Sequence, residues 1–145
     1  MASSFNDISR IFIATLANTG IQFNGEDLEI ADENFNFKTD GIILYVAPFL
    51  LTAPVVQASL GPSGCDRHTG IFQINIFQRK GKALTELYTI ADALNAAFPS
   101  GAELSVNDSD INVRITNVSV TPLQIEKKWA MIPLNIEYFA DTARL

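Results

Sequence analysis

Cysteine and histidine are nearly absent from this sequence. Its 145 residues include one cysteine, Cys65, and one histidine, His68. A single thiol cannot form an internal disulfide or supply a multi-thiolate zinc site. A chain of this length can bury about two-thirds of the surface that its unfolded form exposes, so its core needs neither kind of support. We therefore expect one domain that spans residues 1–145.

Long apolar runs are also absent. The longest, residues 41–56, is interrupted by Pro48 and Pro54 and is shorter than the roughly 20 residues that cross a bilayer as a helix. The first residues, MASSFNDISR, lack the basic start and the apolar stretch of a signal peptide. The sequence therefore predicts no membrane partner and synthesis in a reducing cytosol.

Positive charge is scarce, since ten Lys and Arg residues oppose 16 Asp and Glu residues and leave a net charge of −6. Arg79, Lys80 and Lys82 form a small basic cluster. Phosphate binding needs more cations on one face, so tight direct binding of DNA is not expected. The acids concentrate between residues 23 and 41, in a connection that also holds Phe35 and Phe37. Its six acidic residues are Glu26, Asp27, Glu29, Asp32, Glu33 and Asp40.

Apolar residues recur at spacings of three and four in two segments, which predicts two amphipathic helices. The first starts after an N-cap at Ser3 or Ser4 and ends near Gly20. The second lies between Lys80 and Gly101. The predicted buried stripes are Phe5, Ile8, Ile11, Phe12 and Leu16 in the first helix, and Leu84, Leu87, Tyr88, Ala91, Leu94 and Phe98 in the second.

The remaining patterned segments are rich in alternating, β-branched or aromatic residues, which predicts strands. The order of elements is helix, strands, helix, strands, without the regular alternation of a doubly wound fold. The sequence therefore predicts an α+β fold, in which a mainly antiparallel or mixed sheet carries both helices on one face, with a long hairpin and loops. The predicted strands are residues 28–31, 41–47, 49–60, 71–77 and 128–140, with a hairpin over 103–116.

Cys65 and His68 stand beside Asp66 and Arg67 in one short stretch. A Cys–His hydrolase needs an imidazole near the thiolate and a third group that orients the imidazole. Such groups usually come from distant parts of a chain, whereas these are neighbours in a glycine-rich stretch, and no second histidine exists. We interpret the stretch as the polar tip of a hairpin between two strands and expect no enzymatic activity.

Asp32, Asn34 and Asn36 alternate as ligands do at the start of an EF-hand calcium loop. However, Phe37 occupies the position where that loop turns at glycine, and Ile43 occupies the position of the bidentate glutamate. No nucleotide-binding or metalloprotease motif occurs. We therefore expect neither a metal ion nor a cofactor.

Three stretches resemble the small tail terminator, or tail completion, proteins of long-tailed bacteriophages. They are DRHTGIFQINIF, GKALTELYTIADALNAAFPSGAEL and WAMIPLNIEYFA. The resemblance lies in their order: a loop that ends in Thr-Gly, a strand with Phe-Gln, a helix with Ala-Asp, an FP.G sequence and a last strand from Trp to Tyr. It covers residues 66–140, and the acidic connection at residues 23–40 is not part of it.

The resemblance implies a structural virion protein of the tail or neck, assembled in the host cytoplasm. Such proteins form a ring, usually a hexamer, on the end of the tail tube, stop its growth and present a surface for head joining. The implied partners are further copies of the chain, the tail tube protein and a head-completion or connector protein. DNA would pass through the lumen without specific binding, and an acidic protein suits such a lumen because like charges repel.

In a cyclic ring, two different patches of each subunit meet. Because they carry opposite charges in one chain, we expect the acidic connection and the basic cluster to lie on surfaces that meet neighbouring subunits or tail and head proteins. We expect the polar hairpin tip after Cys65 to be available to a neighbour as well. Two alternatives remain open, namely another neck component such as a head-completion protein, and a small-molecule binding domain. The candidate interface residues are Asp66, Arg67, His68, Arg79, Lys80, Lys82, Glu29, Asp32, Glu33, Phe35 and Phe37.

Overall fold

The computed structural model of the chain describes residues 4–23, 26–27, 29–31, 44–57, 64–81, 84–106, 111–126 and 128–143. The helices are α1 (Ser4–Ala17) and α2 (Leu84–Ala97). The strands are β1 (Gln22–Phe23), β2 (Glu26–Asp27), β3 (Glu29–Ile30), β4 (Leu44–Thr52), β5 (Val56–Gln57), β6 (Cys65–Arg79), β7 (Glu103–Leu104), β8 (Val113–Val120), β9 (Gln124–Glu126) and β10 (Trp129–Ala143). Neither described helix is long and apolar enough to cross a membrane.

One eight-stranded sheet dominates the described structure. Its strands lie in the order β3-β4-β6-β10-β8-β7, with β5 also paired to β6 and β9 to β10. The β3–β4 pairing is parallel and the other pairings are antiparallel. A separate hairpin joins β1 to β2. These pairings confirm the predicted α+β fold with a mixed, mainly antiparallel sheet, although the predicted turn at residues 107–110 lies outside the described residues.

Helix α1 buries its predicted stripe except for Phe5, because residues three and four apart lie on the same side of a helix. Ile8, Ile11, Phe12 and Leu16 are buried, whereas Phe5 at the start of the helix is 50% exposed. The chain leaves the helix through Gly20, whose φ of 70° lies in the left-handed region. Glycine adopts this conformation without steric penalty, which explains the predicted stop.

Helix α2 is rotated relative to its predicted stripe. Leu84 and Tyr88 were predicted to be buried, but they are 38% and 48% exposed. Ile90, which the prediction omitted, is buried against the sheet instead. The helix also begins at Leu84 rather than near Lys80, so Leu84 lies in the first turn. The buried residues of α2 are Leu87, Ile90, Ala91 and Leu94.

A single apolar core lies between the two helices and one face of the sheet. The ring of Phe12 stacks on that of Phe72 with centroids 4.5 Å apart, and meets the ring of Tyr138 edge-on at 5.0 Å. Phe98, which follows α2, packs against both Phe12 and Phe72. Both helices therefore cover the same sheet face, as predicted. The buried strand residues on that face include Phe72, Ile74, Ile76, Val113, Ile115, Ile132, Leu134 and Ile136.

Strand β4 contains Pro48 without losing a backbone hydrogen bond to β6. The carbonyl of Val46 accepts a hydrogen bond from the amide of Ala31, so it points away from β6. Pro48 lies two residues further on and has the same orientation, because backbone groups alternate along a strand. The nitrogen of Pro48, which lacks a hydrogen to donate, therefore faces away from β6, and a proline is tolerated where a strand has no partner to bond. Pro54 interrupts the predicted strand 49–60 between β4 and β5.

The prediction of a hairpin tip at Asp66, Arg67 and His68 is wrong. These residues lie within β6 and pair with Thr142, Asp141 and Ala140 of β10. Strand β5 pairs with Arg67 and Asp66 on the other side. Because β10 and β5 form backbone hydrogen bonds on either side, this polar stretch is an extended strand and not a loop. The antiparallel pairing predicted for the flanking strands is confirmed by β4 and β6.

Candidate assembly surface

The sheet face that points away from both helices carries the odd-numbered side chains of β4, β6 and β10. Side chains alternate along a strand, and the register pairs odd residues with odd residues across all three strands. This outer face is more apolar than a solvated face of an antiparallel sheet usually is. Its apolar residues include Tyr45, Phe49, Leu51, Ile71, Phe77, Trp129, Met131, Pro133 and Phe139.

One end of the outer face holds three packed rings, and the guanidinium of Arg79 lies on one of them. Tyr45 stacks on Phe77 with centroids 4.7 Å apart, and Trp129 meets Tyr45 edge-on at 5.0 Å. The guanidinium carbon of Arg79 lies 4.7 Å from the centre of the Trp129 ring. Such a contact combines electrostatic attraction with apolar packing. We refer to Tyr45, Phe77, Arg79, Lys80, Lys128 and Trp129 as the basic aromatic end.

Lys80 and Lys128 are brought together at the basic aromatic end although they belong to different strand ends. The amide of Lys80 donates a 2.9 Å hydrogen bond to the carbonyl of Lys128, and both side chains are exposed. Burial raises the pKa of Tyr45 above its usual value, so its phenol is neutral at physiological pH. This end of the sheet therefore combines two exposed lysines with a partly buried cluster of rings.

The other end of the outer face holds a bidentate ion pair. The Nε and Nη2 atoms of Arg67 donate hydrogen bonds of 2.8 and 2.9 Å to the two carboxylate oxygens of Asp141. Donation by Arg67 holds the pKa of the Asp141 carboxyl below its usual value. The same guanidinium lies 4.5 Å from the centre of the Phe139 ring. A shallow groove of about 380 Å³ adjoins the pair and is lined by Arg67, Thr69, Gly70, Ile71, Glu137 and Phe139 among others.

His68 lies on the opposite side of the sheet from this ion pair. Its ring is 6% exposed, its Nε2 atom is 3.1 Å from the hydroxyl of Thr142, and Phe5 meets the ring edge-on at 5.2 Å. Cys65 is three residues away along an extended strand, so the two side chains point to opposite faces. The strand therefore separates the thiol from the imidazole that the sequence places beside it.

The structure does not unite the predicted interface residues in one patch. Arg67 and Arg79 occupy opposite ends of β6, about 40 Å apart at the usual rise of a strand. Glu29 is exposed and lies in register with Tyr45, next to the basic aromatic end. The remaining predicted residues, Asp32, Glu33, Phe35, Phe37 and Lys82, lie outside the described residues.

Sequence reasoning missed the aromatic residues of the outer face. Phe77 and Trp129 were assigned to strands, but no surface was predicted around them. A usable signal existed, because apolar residues at both odd and even positions indicate a strand with two apolar faces. The described residues contain no group of three His, Cys, Asp or Glu side chains that could hold a metal ion. What they do contain is a surface of arginines on rings, a composition typical of protein–protein interfaces.

Comparison with known proteins agrees with the fold and indicates a family. No curated protein sequence matches the chain. A solved structure superposes with a TM-score of 0.75 at 18% sequence identity, covering 96% of this chain and 96% of that chain. At this identity the likeness concerns the fold alone. A family model described as "Phage tail terminator protein" matches residues 7–138, which is most of the chain.

Proposed function

The chain belongs to the phage tail terminator family, and from this membership we propose that it forms a ring on the end of the phage tail tube. The ring would end polymerisation of the tube and provide the surface for head joining. Membership gives the protein a structural role in a phage tail and hence a place in the virion. The observation that carries the proposal is the family match over residues 7–138, which includes most of α1, all of α2 and the central strands as far as Tyr138 of β10.

The composition of the outer face supports an assembly role. Arginine and aromatic residues are enriched in protein interfaces, and buried examples contribute most of the binding energy. Here Arg67 lies on Phe139 and Arg79 lies on Trp129. Contacts with further copies, with the tail tube protein and with a head-completion or connector protein would use such surfaces. No step of this role requires catalysis, a metal ion or a cofactor.

A hexameric ring is the form we propose, with two different patches of each subunit in contact. Arg79, Lys80 and Lys82 would belong to one patch, and the acidic connection that contains Asp32 and Glu33 to the other. Complementary charges at an interface set registry and association rate more than affinity. The net charge of −6 suits a lumen through which DNA passes without specific binding, because like charges repel.

The test is the mass and shape of the purified protein, measured by light scattering and negative-stain electron microscopy. We expect rings for the wild-type protein and their loss after Arg79→Glu with Lys82→Glu. Arg114→Glu is a control charge reversal, because Arg114 is exposed and pairs with Glu103 on β7. A wild-type protein that remains monomeric at all concentrations and on tube ends would contradict the ring. Rings that survive the double reversal would contradict the assignment of the basic patch.

A further inference from the structure

Part of strand β8 lies at an edge of the sheet where no described strand pairs with it. Strand β7 and the residues just before it bond to β8 only as far as Ile115. On the side away from β10, the described structure places no strand beside the rest of β8. We refer to this part, residues 116–120, as the open β8 edge. An unpaired strand edge is a template for a further strand.

Val118 and Val120 direct their backbone amides and carbonyls toward the open β8 edge. The amide of Thr121 donates a 2.9 Å hydrogen bond to the carbonyl of Pro133 on β10. Bonding directions alternate along an antiparallel strand, so Ser119 also bonds toward β10, while Val118 and Val120 face away from it. Within the described chain, no backbone group bonds to either valine on that side. The edge therefore offers two donors and two acceptors at strand spacing.

The side chains of the open β8 edge extend the apolar core. Val118 and Val120 are in register with Ile136 and Leu134, which places them on the helix-facing side of the sheet. Val120 is nevertheless 50% exposed. Sheet edges are usually protected by charged residues or proline, but residues 115–121 contain neither. The occupant that fits this edge is therefore an extended, uncharged protein segment, held by backbone hydrogen bonds.

The position of β7 excludes pairing of the open β8 edge with the same edge of a second copy. In such an antiparallel pair, Val118 of each copy would lie opposite Val120 of the other. The first residues of each β8, with β7 beside them, would then extend past β9 of the other copy, which follows β8 along β10. Strand β7 of one copy and β9 of the other would occupy the same place. The contact must therefore join two different edges, as the heterologous contacts of a ring do.

Strand β5 offers a second edge on the opposite side of the sheet. The carbonyl of Thr69 on β6 accepts a hydrogen bond from the amide of Ala53, so Arg67, two residues earlier, also bonds on this side. Arg67 is in register with Val56. The amide and carbonyl of the next residue, Gln57, are therefore directed away from β6. Among the described residues, no strand pairs with β5 on that outer side.

The edge at β5 matches the open β8 edge in composition and in direction. Val55 and Val56 are 41% and 52% exposed, and no charged residue occurs from 41 to 65. Strands β5 and β6, β6 and β10, and β10 and β8 are antiparallel pairs, so β5 and β8 run in opposite directions. In a ring whose copies share one orientation, β5 of one copy and β8 of the next are thus antiparallel. Within a single copy β6 and β10 lie between them, so the contact joins two copies.

We propose that β5 of each copy adds as a strand to the open β8 edge of the neighbouring copy. The register pairs three residues of one copy with three of the next, namely Gln57 with Val118, Val56 with Ser119 and Val55 with Val120. It brings Val55 and Val120 together on the helix-facing side, where an aliphatic cross-strand pair stabilises the contact. The inference rests on the ring proposed above and names one contact that closes it.

An engineered disulfide tests this register directly. Residues opposite each other in a non-hydrogen-bonded antiparallel pair have Cα atoms about 4.5 Å apart, a separation that a disulfide spans. In a Cys65→Ser background, we expect Val56→Cys with Ser119→Cys to form disulfide-linked multimers on mild oxidation. Either new cysteine alone is expected to give none, and a mixture of the two single variants is expected to give dimers only. Non-reducing gel electrophoresis separates these products.

Leu51→Cys with Ser119→Cys is the matched control for the disulfide. Leu51 is 44% exposed and in register with Ile71, four residues from the position of Val56 along β6, or about 13 Å. This pair is expected to stay unlinked, and equal linking of both pairs would refute the register. Rings that form while Val56→Cys with Ser119→Cys stays unlinked would refute this contact alone. Linked multimers that never close into rings would refute the ring and support the contact.

A charge at the open β8 edge provides a test without cysteines. Lysine at an edge strand opposes the addition of a further strand, so Val120→Lys is expected to abolish rings in light scattering and negative-stain images. Tyr88→Lys on α2 is the control, because Tyr88 is 48% exposed and Val120 is 50% exposed. Both variants are expected to keep a melting temperature close to that of the wild type. Rings that persist in Val120→Lys, or that Tyr88→Lys removes equally, would overturn the contact.

Discussion

Arg67 and Asp141 form a bidentate ion pair although 74 residues separate them in the chain. The pair joins the first residues of β6 to the last residues of β10, where the register sets Arg67 opposite Asp141. Both side chains are partly exposed, so the pair contributes modestly to stability and is weakened by salt. We therefore expect to detect the pair more clearly in the pH dependence of the unfolding free energy than in the size of that free energy at one pH.

We expect Arg67→Met to remove a pH-dependent part of the unfolding free energy. The pKa of Asp141 is lowered in the folded state, chiefly by hydrogen bonds from Arg67. The folded protein therefore binds fewer protons than the unfolded chain in acid, and the contribution is present above the usual aspartate pKa of about 3.9. It is lost as the pH falls through the lower folded value.

Urea unfolding of four proteins across this acidic range measures the effect. They are the wild type, Arg67→Met, Asp141→Asn and the double variant. The cycle isolates the pairwise contribution. The account predicts that Arg67→Met has no additional effect on the pH dependence once Asp141 is replaced. Equal pH profiles for the wild type and Arg67→Met would contradict the assigned role of the pair.

We expect any substitution of Gly70 to be destabilising because a side chain there would clash with neighbouring atoms, and not because of the backbone conformation of Gly70. A Cβ atom there would lie 2.3 Å from the backbone oxygen of Leu51 and 2.9 Å from the hydroxyl of Tyr138. Gly70→Ala is therefore expected to destabilise the fold by about 1–3 kcal/mol, as overpacking does. Chemical denaturation provides the measurement.

Gly81 provides the matched control for Gly70. Its φ of 87° is left-handed, but the space around it is open. Gly81→Asn should lose less stability than Gly81→Ala, since asparagine tolerates this region better. At Gly70 asparagine should be at least as harmful as alanine. If asparagine restored stability at Gly70, the steric account of that position would be wrong.

Phe12 is expected to be among the most sensitive positions of the core. Its side chain is fully buried and contacts the rings of Phe72, Phe98 and Tyr138. Phe12→Ala is expected to cost about 3–5 kcal/mol of unfolding free energy. Phe5→Ala on the same helix should cost about 1 kcal/mol or less, because half of that side chain is exposed. Similar losses at both positions would contradict the described orientation of α1.

Tyr138 is expected to lower stability at alkaline pH. Burial raises its pKa to about 12, so the unfolded chain ionises this phenol near its usual pKa of about 10 while the folded protein does not. The stabilising contribution is complete below the unfolded pKa and is lost as the pH rises through the folded value. Tyr138→Phe is expected to reduce this alkaline loss in thermal unfolding. An unchanged alkaline slope in Tyr138→Phe would refute the prediction.

Local periodicity was sufficient to predict most of the core. Ile8 and Phe12 follow a helical spacing, and Ile74 and Ile136 follow a strand spacing, so the buried sides of α1 and of the central strands follow from the pattern. The fold class then followed from the order of elements. These predictions needed no knowledge of which strand lies beside which.

The wrong predictions concern features that distant partners determine. Asp66 and Arg67 are extended because β10 and β5 pair with them, and no local signal specifies those partners. Tyr88 is exposed because tertiary packing rotates α2, whose spacing permits more than one stripe. Trp129 and Arg79 meet only through the strand register. The candidate surface is therefore a product of topology, and the sequence alone could identify only its separate residues.

The most direct test of the central claim is tube length in a polymerisation reaction. Tail tube protein is assembled with and without the purified protein, and tube lengths and tube ends are recorded by electron microscopy. The account predicts a ring on tube ends and growth that stops, so that tubes are shorter as the protein-to-tube ratio rises. Tubes of unchanged length, with ends that carry no additional density, would contradict it.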